Sequence, residues 1–324
     1  MTVPHIQQPS SSFKPEYPWA IEMADAQLDM MWLAKDYHMK DDMHSFRTQL
    51  LKPERQMIVQ DLVTFNHYEV KLGTDFWNGR FKKIFPRYEF ERLGSTFGMV
   101  ETAVHATFYI QMLDELGFNT KEFHDKAFND PEIKQRLEFI VKCLNGDSDL
   151  LALAAMCFLE GTALFSSLAS LMSFRKPRSI NAMQNMASGI VHSCQDELLH
   201  CLVSASAHNE LLKQLDLSSE ELLSHHKSLV KMREDIVAHE LLLIEKKFAF
   251  GESRTVAKED LIRFVEHRGD ECLSLMEVSV LRDERPNPIA QWLYPMVKSY
   301  NFGDFFQTTQ KDYEKFVNKE RFTW

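Results

Sequence analysis

The sequence predicts an all-α protein, a helical bundle built as one domain, and three observations carry that reading. Chain breakers are scarce, with 11 Gly and 11 Pro in 324 residues, which favours long helices. Apolar residues make up 44% of the chain and recur at helical spacing through most of its length. No Gly/Ser/Pro-rich linker or shift of composition interrupts residues 30–290. The expected plan is an N-terminal extended arm over 1–18, a helical domain over 19–295 and a flexible C-terminal tail over 296–324.

In the arm, Pro4, Pro9, Pro15 and Pro18 and the run Ser10-Ser11-Ser12 offer no helical period. The first twenty residues also lack the apolar core of a signal peptide. From Trp19 to about Lys35, Ile21, Leu28, Met31 and Trp32 are spaced along a helix. A second helix is expected from about Pro53 to Leu72, stopped by Gly73, with Glu69 near its end. Trp77-Asn78-Gly79 reads as a turn. A long periodic stretch from Tyr88 to Leu116 follows, carrying Glu101, His105 and Tyr109 as a polar stripe with steps of four residues.

Pro131 to about Leu144 reads as an amphipathic helix with a solvated charged face. Leu151–Phe174 is apolar on every side, with Glu160 as its single charge. It is long enough to span a bilayer, but a central glutamate and four serines point instead to the middle helix of a bundle. A helix over about Ser179–Leu215 contains Gly189-Ile-Val-His-Ser-Cys-Gln-Asp-Glu-Leu-Leu-His200, which sets Glu197 and His200 on one face. Two further helices are expected at 219–248 and 257–282, the first opened by Ser218-Ser219-Glu220-Glu221. The tail is rich in aromatic residues, among them Tyr300 and Tyr313.

The net charge of -10 argues against a duplex nucleic-acid partner, which needs a basic face. Five cysteines without a C-x-x-C pair, four of them inside apolar helical patterns, read as reduced buried thiols and a cytoplasmic protein.

Chemistry enters with the acids. Glu69, Glu101, Glu160 and Glu197 each stand among apolar residues on a different helix, and His105 and His200 share a face with two of them. Buried carboxylates without partners are costly, so four in one bundle invite cations. Two transition-metal ions would satisfy all six groups. This is the ligand plan of ferritin-like dimetal carboxylate bundles, and carboxylate-rich ligation with one imidazole per ion suits iron or manganese better than structural zinc. His239-Glu240 and Glu266-His267 are set aside, because adjacent residues point about 100° apart on a helix and both pairs read as solvent-facing.

With these motifs in hand, the chain resembles the small, radical-generating subunit of class I ribonucleotide reductase. The likeness runs from about residue 19 into the tail and is strongest at Asp196-Glu197-Leu-Leu-His200, Glu101 to Tyr109 and Leu159-Glu160-Gly161. It implies that Glu69, Glu101 and His105 hold one metal and Glu160, Glu197 and His200 the other, with Glu101 and Glu197 bridging. Tyr109 falls at the radical tyrosine, and Trp32 and Asp196 fall on the hydrogen-bonded relay to His105. The resemblance further implies a one-electron oxidant, made from reduced metals and an oxygen species. That oxidant is kept on Tyr109 or on the metals and passed through a tail residue, for which Tyr313 is chosen, to a separate large subunit. It also implies a homodimer, no membrane partner, an accessory activase or electron donor, and docking of Arg321-Phe322-Thr323-Trp324 on the large subunit.

Three departures bear on the metals. Glu101-Thr-Ala-Val-His105 is one residue longer than the usual Glu-x-x-His, Glu69 stands where tyrosyl-radical diiron members have Asp and some manganese members have Glu, and Gln195 stands where Arg is common. Alternatives on the same fold are an oxidase or oxygenase acting on a small organic substrate, and iron storage; a non-catalytic scaffold is a third. Trp32, Asp196 and the aromatic tail favour the reductase subunit, since an oxygenase needs no exit route for an oxidant.

Overall fold

The computed structural model of the chain describes residues 3–279 and 285–298, and among them there are helices and turns but no strand. Helix α1 (Pro18–Asp29) begins on a proline, whose fixed φ suits a first turn. It ends before Trp32, six residues short of the expected Lys35, and the non-helical backbone there lets the indole turn inward against Tyr37, His105 and Phe108. The preceding arm is irregular apart from a 3-10 turn at His5–Gln7. It is nonetheless pinned to the bundle: Ile6 is buried, its N–H donates to Gln214 at 2.9 Å, and Arg87 donates to the His5 carbonyl at 2.8 Å.

After the short α2 (Asp42–Thr48), α3 (Lys52–Lys71) opens with the Glu54 carboxylate accepting from the Leu51 N–H at 2.8 Å. It does not stop at Gly73. The chain continues as a π-helix over Leu72–Phe81 and then α4 (Lys82–Ile84). A Cβ at Gly73 would lie 2.7 Å from the Glu101 Cβ and 2.8 Å from the Thr102 Cγ2, so this glycine permits a close helix crossing rather than ending a helix. Trp77-Asn78-Gly79, expected as a turn, lies inside the π-helix with Trp77 fully buried.

The long stretch from Tyr88 to Leu116 is one rod in three pieces: α5 (Tyr88–Met99), a π-helical segment at Val100–His105, and α6 (Ala106–Leu116). Gly117 ends it at φ 78°. Helix α7 (Lys121–Phe128), which periodicity did not single out, is capped by Thr120, and α8 (Pro131–Asn145) by Asp130. The charged face of α8 is only partly solvated, because Arg136 is buried and donates to the Ala163 carbonyl at 2.7 Å. Arg136 also pairs with Glu240 and donates to the His239 Nδ1 at 3.3 Å. The expectation that His239-Glu240 faces solvent is corrected accordingly: Glu240 is fully buried.

The apolar run forms α9 (Asp149–Phe158), a π-helical segment at Leu159–Ala163 and α10 (Phe165–Met172). By length and composition Asp149–Arg175 could cross a membrane, yet 89% of its apolar 18-residue stretch is buried inside the bundle. Its neighbours are α11 (Gln184–Lys213), α12 (Ser219–Phe248) and α13 (Lys258–Leu275). Helix α11 starts later than Ser179 because Asn181 and Met183 adopt positive φ, and α13 stops short of 282 because Glu277 does. Helix α14 (Pro288–Lys298) packs on α11 and α13.

The serines of the central run have partners that periodicity does not reveal. Ser166 donates to Glu240 at 2.6 Å, Ser167 and Ser170 donate to Asp61, and Ser173 bonds Thr255. Asp61 in turn pairs with Lys247 at 2.8 Å, both buried. Removing one member of such a pair strands a charge, so Lys247→Met is expected to lower stability by about 3–5 kcal/mol. The measurement is a urea midpoint, with Asp61→Asn/Lys247→Met recovering much of the loss; an unchanged midpoint in the single variant would show that Asp61 is held neutral.

Candidate metal centre

Four helical segments aim their acids at one point. Glu69 lies in the last turn of α3, Glu101 and His105 in the π-helical segment between α5 and α6, Glu160 in the one between α9 and α10, and Glu197 and His200 on α11. All six side chains are fully buried. The His105 Nδ1 is 3.1 Å from Glu197, 3.5 Å from Glu69 and 3.7 Å from Glu101. The His200 Nδ1 is 2.8 Å from Glu101 and 3.4 Å from Glu197. Ligand atoms gather into two quartets, Glu69, Glu101, His105 and Glu197 on one side and Glu101, Glu160, Glu197 and His200 on the other, so Glu101 and Glu197 belong to both.

The winding explains the long Glu101–His105 spacing. A π-turn takes up one residue more than an α-turn over the same height, so the extra residue is absorbed locally and the pair still faces inward.

The outer ring fixes the imidazoles. The His105 Nε2 sits 2.9 Å from an Asp196 oxygen that also accepts from the Trp32 indole N–H at 2.8 Å. The other Asp196 oxygen accepts from the Gln27 amide at 2.7 Å, and the Gln27 carbonyl oxygen lies 3.1 Å from the His200 Nε2. Each ring is therefore held at Nε2 and turns Nδ1 toward the carboxylates, the usual way in which a ligating His is oriented. Gln27 was not anticipated from sequence, although it lies on the buried stripe of α1 with Ala20, Met23 and Ala24. Two more partners were missed: Trp77, whose indole donates to Glu160 at 3.1 Å, and Ser193, which bonds the Tyr109 hydroxyl. Ser193 precedes Glu197 by one turn, and that spacing was a usable signal.

Tyr109 is buried, stacks on Phe65 at 4.7 Å and has its ring 6.3 Å from that of His105. Burial, then the charge of Glu69, holds its hydroxyl well above the ordinary tyrosine range, so it is a neutral phenol. Gln195 donates to the Val297 carbonyl at 2.7 Å and so ties α11 to α14. Tyr300, Tyr313 and Arg321 to Trp324 lie outside the described residues.

Metal ions fit these residues. Both oxygens of Glu69, Glu101 and Glu197, one of Glu160, and both imidazole Nδ1 atoms have no hydrogen-bond partner, although buried polar atoms almost always find one. Burial, followed by repulsion from Glu101 and Glu197, holds Glu69 and Glu160 well above the usual carboxylate range. Two divalent ions would cancel four carboxylate charges and fill the orphaned positions.

A helical bundle enclosing four carboxylates and two histidines in two overlapping quartets defines a ferritin-like dimetal carboxylate protein. The family model described as ribonucleotide reductase, small chain, matches residues 10–288, and the chain belongs to that family. It is thus the small subunit of a ribonucleoside-diphosphate reductase, an oxidoreductase. It is similar to the probable ribonucleoside-diphosphate reductase small subunit 048L of Invertebrate iridescent virus 3, with 24% identity over 94% of this chain and 84% of the relative. Its fold is similar to that of dimanganese(II)-NrdF from Streptococcus sanguinis (TM-score 0.77, 16% identity, 90% of this chain and 99% of that one). It is also similar to the ribonucleotide reductase R2 subunit from Clostridium botulinum (TM-score 0.72, 17% identity, 87% and 89%).

Proposed function

We propose that Glu69, Glu101 and His105 hold one transition metal and Glu160, Glu197 and His200 the other, with Glu101 and Glu197 shared, and that Tyr109, Trp32 and Asp196 carry the oxidant. Iron or manganese ions bound there would supply a one-electron oxidant. The observation that carries the reading is the hydrogen-bonded run from His105 through Asp196 to Trp32. Trp32 itself is buried, but its neighbours Met31 and Leu33 are exposed, so the run leads from the centre to just beneath the surface.

Each residue then has a task. Asp196 orients His105 and accepts the indole N–H, which couples the ring to the world outside. Tyr109 is kept as a neutral phenol, and its oxidation requires the hydroxyl proton to move, with the Ser193 Oγ positioned to share it. Among the residues described, none forms a nucleotide-binding glycine loop, in keeping with a large subunit that does the ribonucleotide chemistry. Tyr313 is the proposed relay in the tail, and Arg321 to Trp324 the proposed docking segment. A cytoplasmic homodimer served by an electron donor or activase completes the proposal; the five cysteines are free, as that compartment requires.

The test is reconstitution with iron or manganese under anaerobic conditions, exposure to oxygen, and assay of ribonucleoside diphosphate reduction with the large subunit. Tyr109→Phe is expected to keep its metals, lose the tyrosyl paramagnetic signal and fall to background turnover. Full turnover in that variant would move the stored oxidant to the metals and leave Tyr109 as a core residue packed on Phe65.

A further inference from the structure

A second cluster of potential ligands lies apart from the carboxylates. Cys157 of α9, Cys201 of α11 and Cys272 of α13 meet in the interior, each at most 1% exposed. The Sγ atoms of Cys157 and Cys201 are 3.7 Å apart, those of Cys201 and Cys272 are 3.8 Å apart, and all three lie within 4.8 Å of one another. A disulfide would need about 2.05 Å. Sulfurs that share a tetrahedral ion at about 2.3 Å each lie about 3.8 Å from one another, by simple geometry from the usual zinc–sulfur length.

The surroundings are built for this spacing. Gly161 packs against the cluster, and a Cβ there would come within 2.4 Å of both the Cys201 and the Cys272 Sγ, so any larger residue would push two of the three sulfurs out of place. The Thr162 hydroxyl lies 3.3 Å from the Cys272 Sγ, and the Cys272 Sγ lies 3.4 Å from the Cys157 carbonyl. Buried Arg268 donates from Nε to the Gly161 carbonyl at 2.7 Å, and its charge, shared with Glu271, acts on Cys201 and Cys272. Its Nη2 has no hydrogen-bond partner. A cavity of about 380 Å³ between α11, α13 and α14, lined by Cys201, Arg268, Glu271 and Tyr294 among others, touches the cluster at Cys201.

We propose that Cys157, Cys201 and Cys272 form a binding site for one soft d10 cation, zinc(II) or copper(I), separate from the carboxylate centre. Thiolates select such ions, whereas the carboxylate quartets select hard ones, so the two centres sort metals by softness. Each sulfur that binds gives its proton to solvent, so uptake is accompanied by proton release. The walls of the two centres are contiguous along the chain, since Gly161 follows Glu160 and Cys201 follows His200.

The experiment uses the full-length, reduced protein already loaded at its carboxylate centre. It is titrated anaerobically with cadmium(II), the spectroscopic stand-in for zinc, and separately with copper(I). One equivalent per chain is expected to produce thiolate-to-metal charge-transfer absorption in the ultraviolet, which oxygen ligands do not give. Cadmium(II), the softer ion, should displace zinc(II) bound beforehand and raise its band as zinc is released if the site takes zinc, and should fail to displace copper(I) bound beforehand if the site takes copper. Cys201→Ser and Cys272→Ala should lose the band, while Cys143→Ser and Cys194→Ser keep it. Absence of the band in the unsubstituted protein with both ions overturns the proposal without reliance on any variant. So does an intact mass two hydrogens lighter with no metal uptake, which would identify a disulfide pair.

Discussion

Glu160→Ala is expected to cut the metal content of the reconstituted protein from two ions per chain to one and to abolish reductase turnover. Glu160 belongs to the quartet with His200 and not to the one with His105, so its loss should remove one ion selectively. The substitution deletes the carboxylate that accepts from the Trp77 indole. Leaving that N–H buried and unpaired costs about 1–3 kcal/mol, which a helical bundle of this size tolerates and thermal unfolding would register. His200→Ala should lose the same ion by a different route, through the imidazole rather than the carboxylate. Metal content well below two in the unsubstituted protein, indifferent to both changes, would sink the dimetal assignment.

Trp32→Phe should leave metal uptake and metal oxidation normal while reductase turnover with the large subunit collapses. Phenylalanine keeps the packing against Tyr37 and Phe108 but deletes the N–H that Asp196 accepts. Asp196→Asn disturbs the same run one step nearer the centre and also the orientation of His105, so a roughly 10–100-fold fall in metal affinity or activity is expected there. The contrast between the two variants separates passage of the oxidant from construction of the centre. Full turnover in Trp32→Phe would eliminate the route, and turnover of a small organic substrate with no large subunit would point to an oxygenase.

How far the sequence could be read depended on whether a signal was periodic or positional. The rod from Tyr88 to Leu116 and the helix at Ser219–Phe248 were legible because their apolar stripes and caps are local. The six buried acids and imidazoles were legible because charged residues inside apolar helices are rare and their spacings agree. Gly73 was misread because a glycine that ends a helix and one that lets two helices touch look alike in sequence; only the nearby Glu101 Cβ distinguishes them. Glu240 was misread because its partners, Arg136 and Ser166, come from other helices. Gln27 was missed for the same reason: its importance lies in touching both Asp196 and His200, which are more than 160 residues away.

The π-helical winding at Val100–His105 also says something about how this chain relates in descent to others of its family. Deleting Thr102 alone would turn Glu101-Thr-Ala-Val-His105 into a Glu-x-x-His of ordinary spacing. An insertion there disturbs only one turn, because α5 and α6 keep their facings while the surplus residue is wound into the segment between them. In α11, which is regular α-helix through Asp196, Glu197 and His200, the same insertion would swing everything beyond it by about 100°. The bundle can thus accept a change of one codon at one ligand helix and not at the other, and a departure that looks severe in the letters is a small step in the fold.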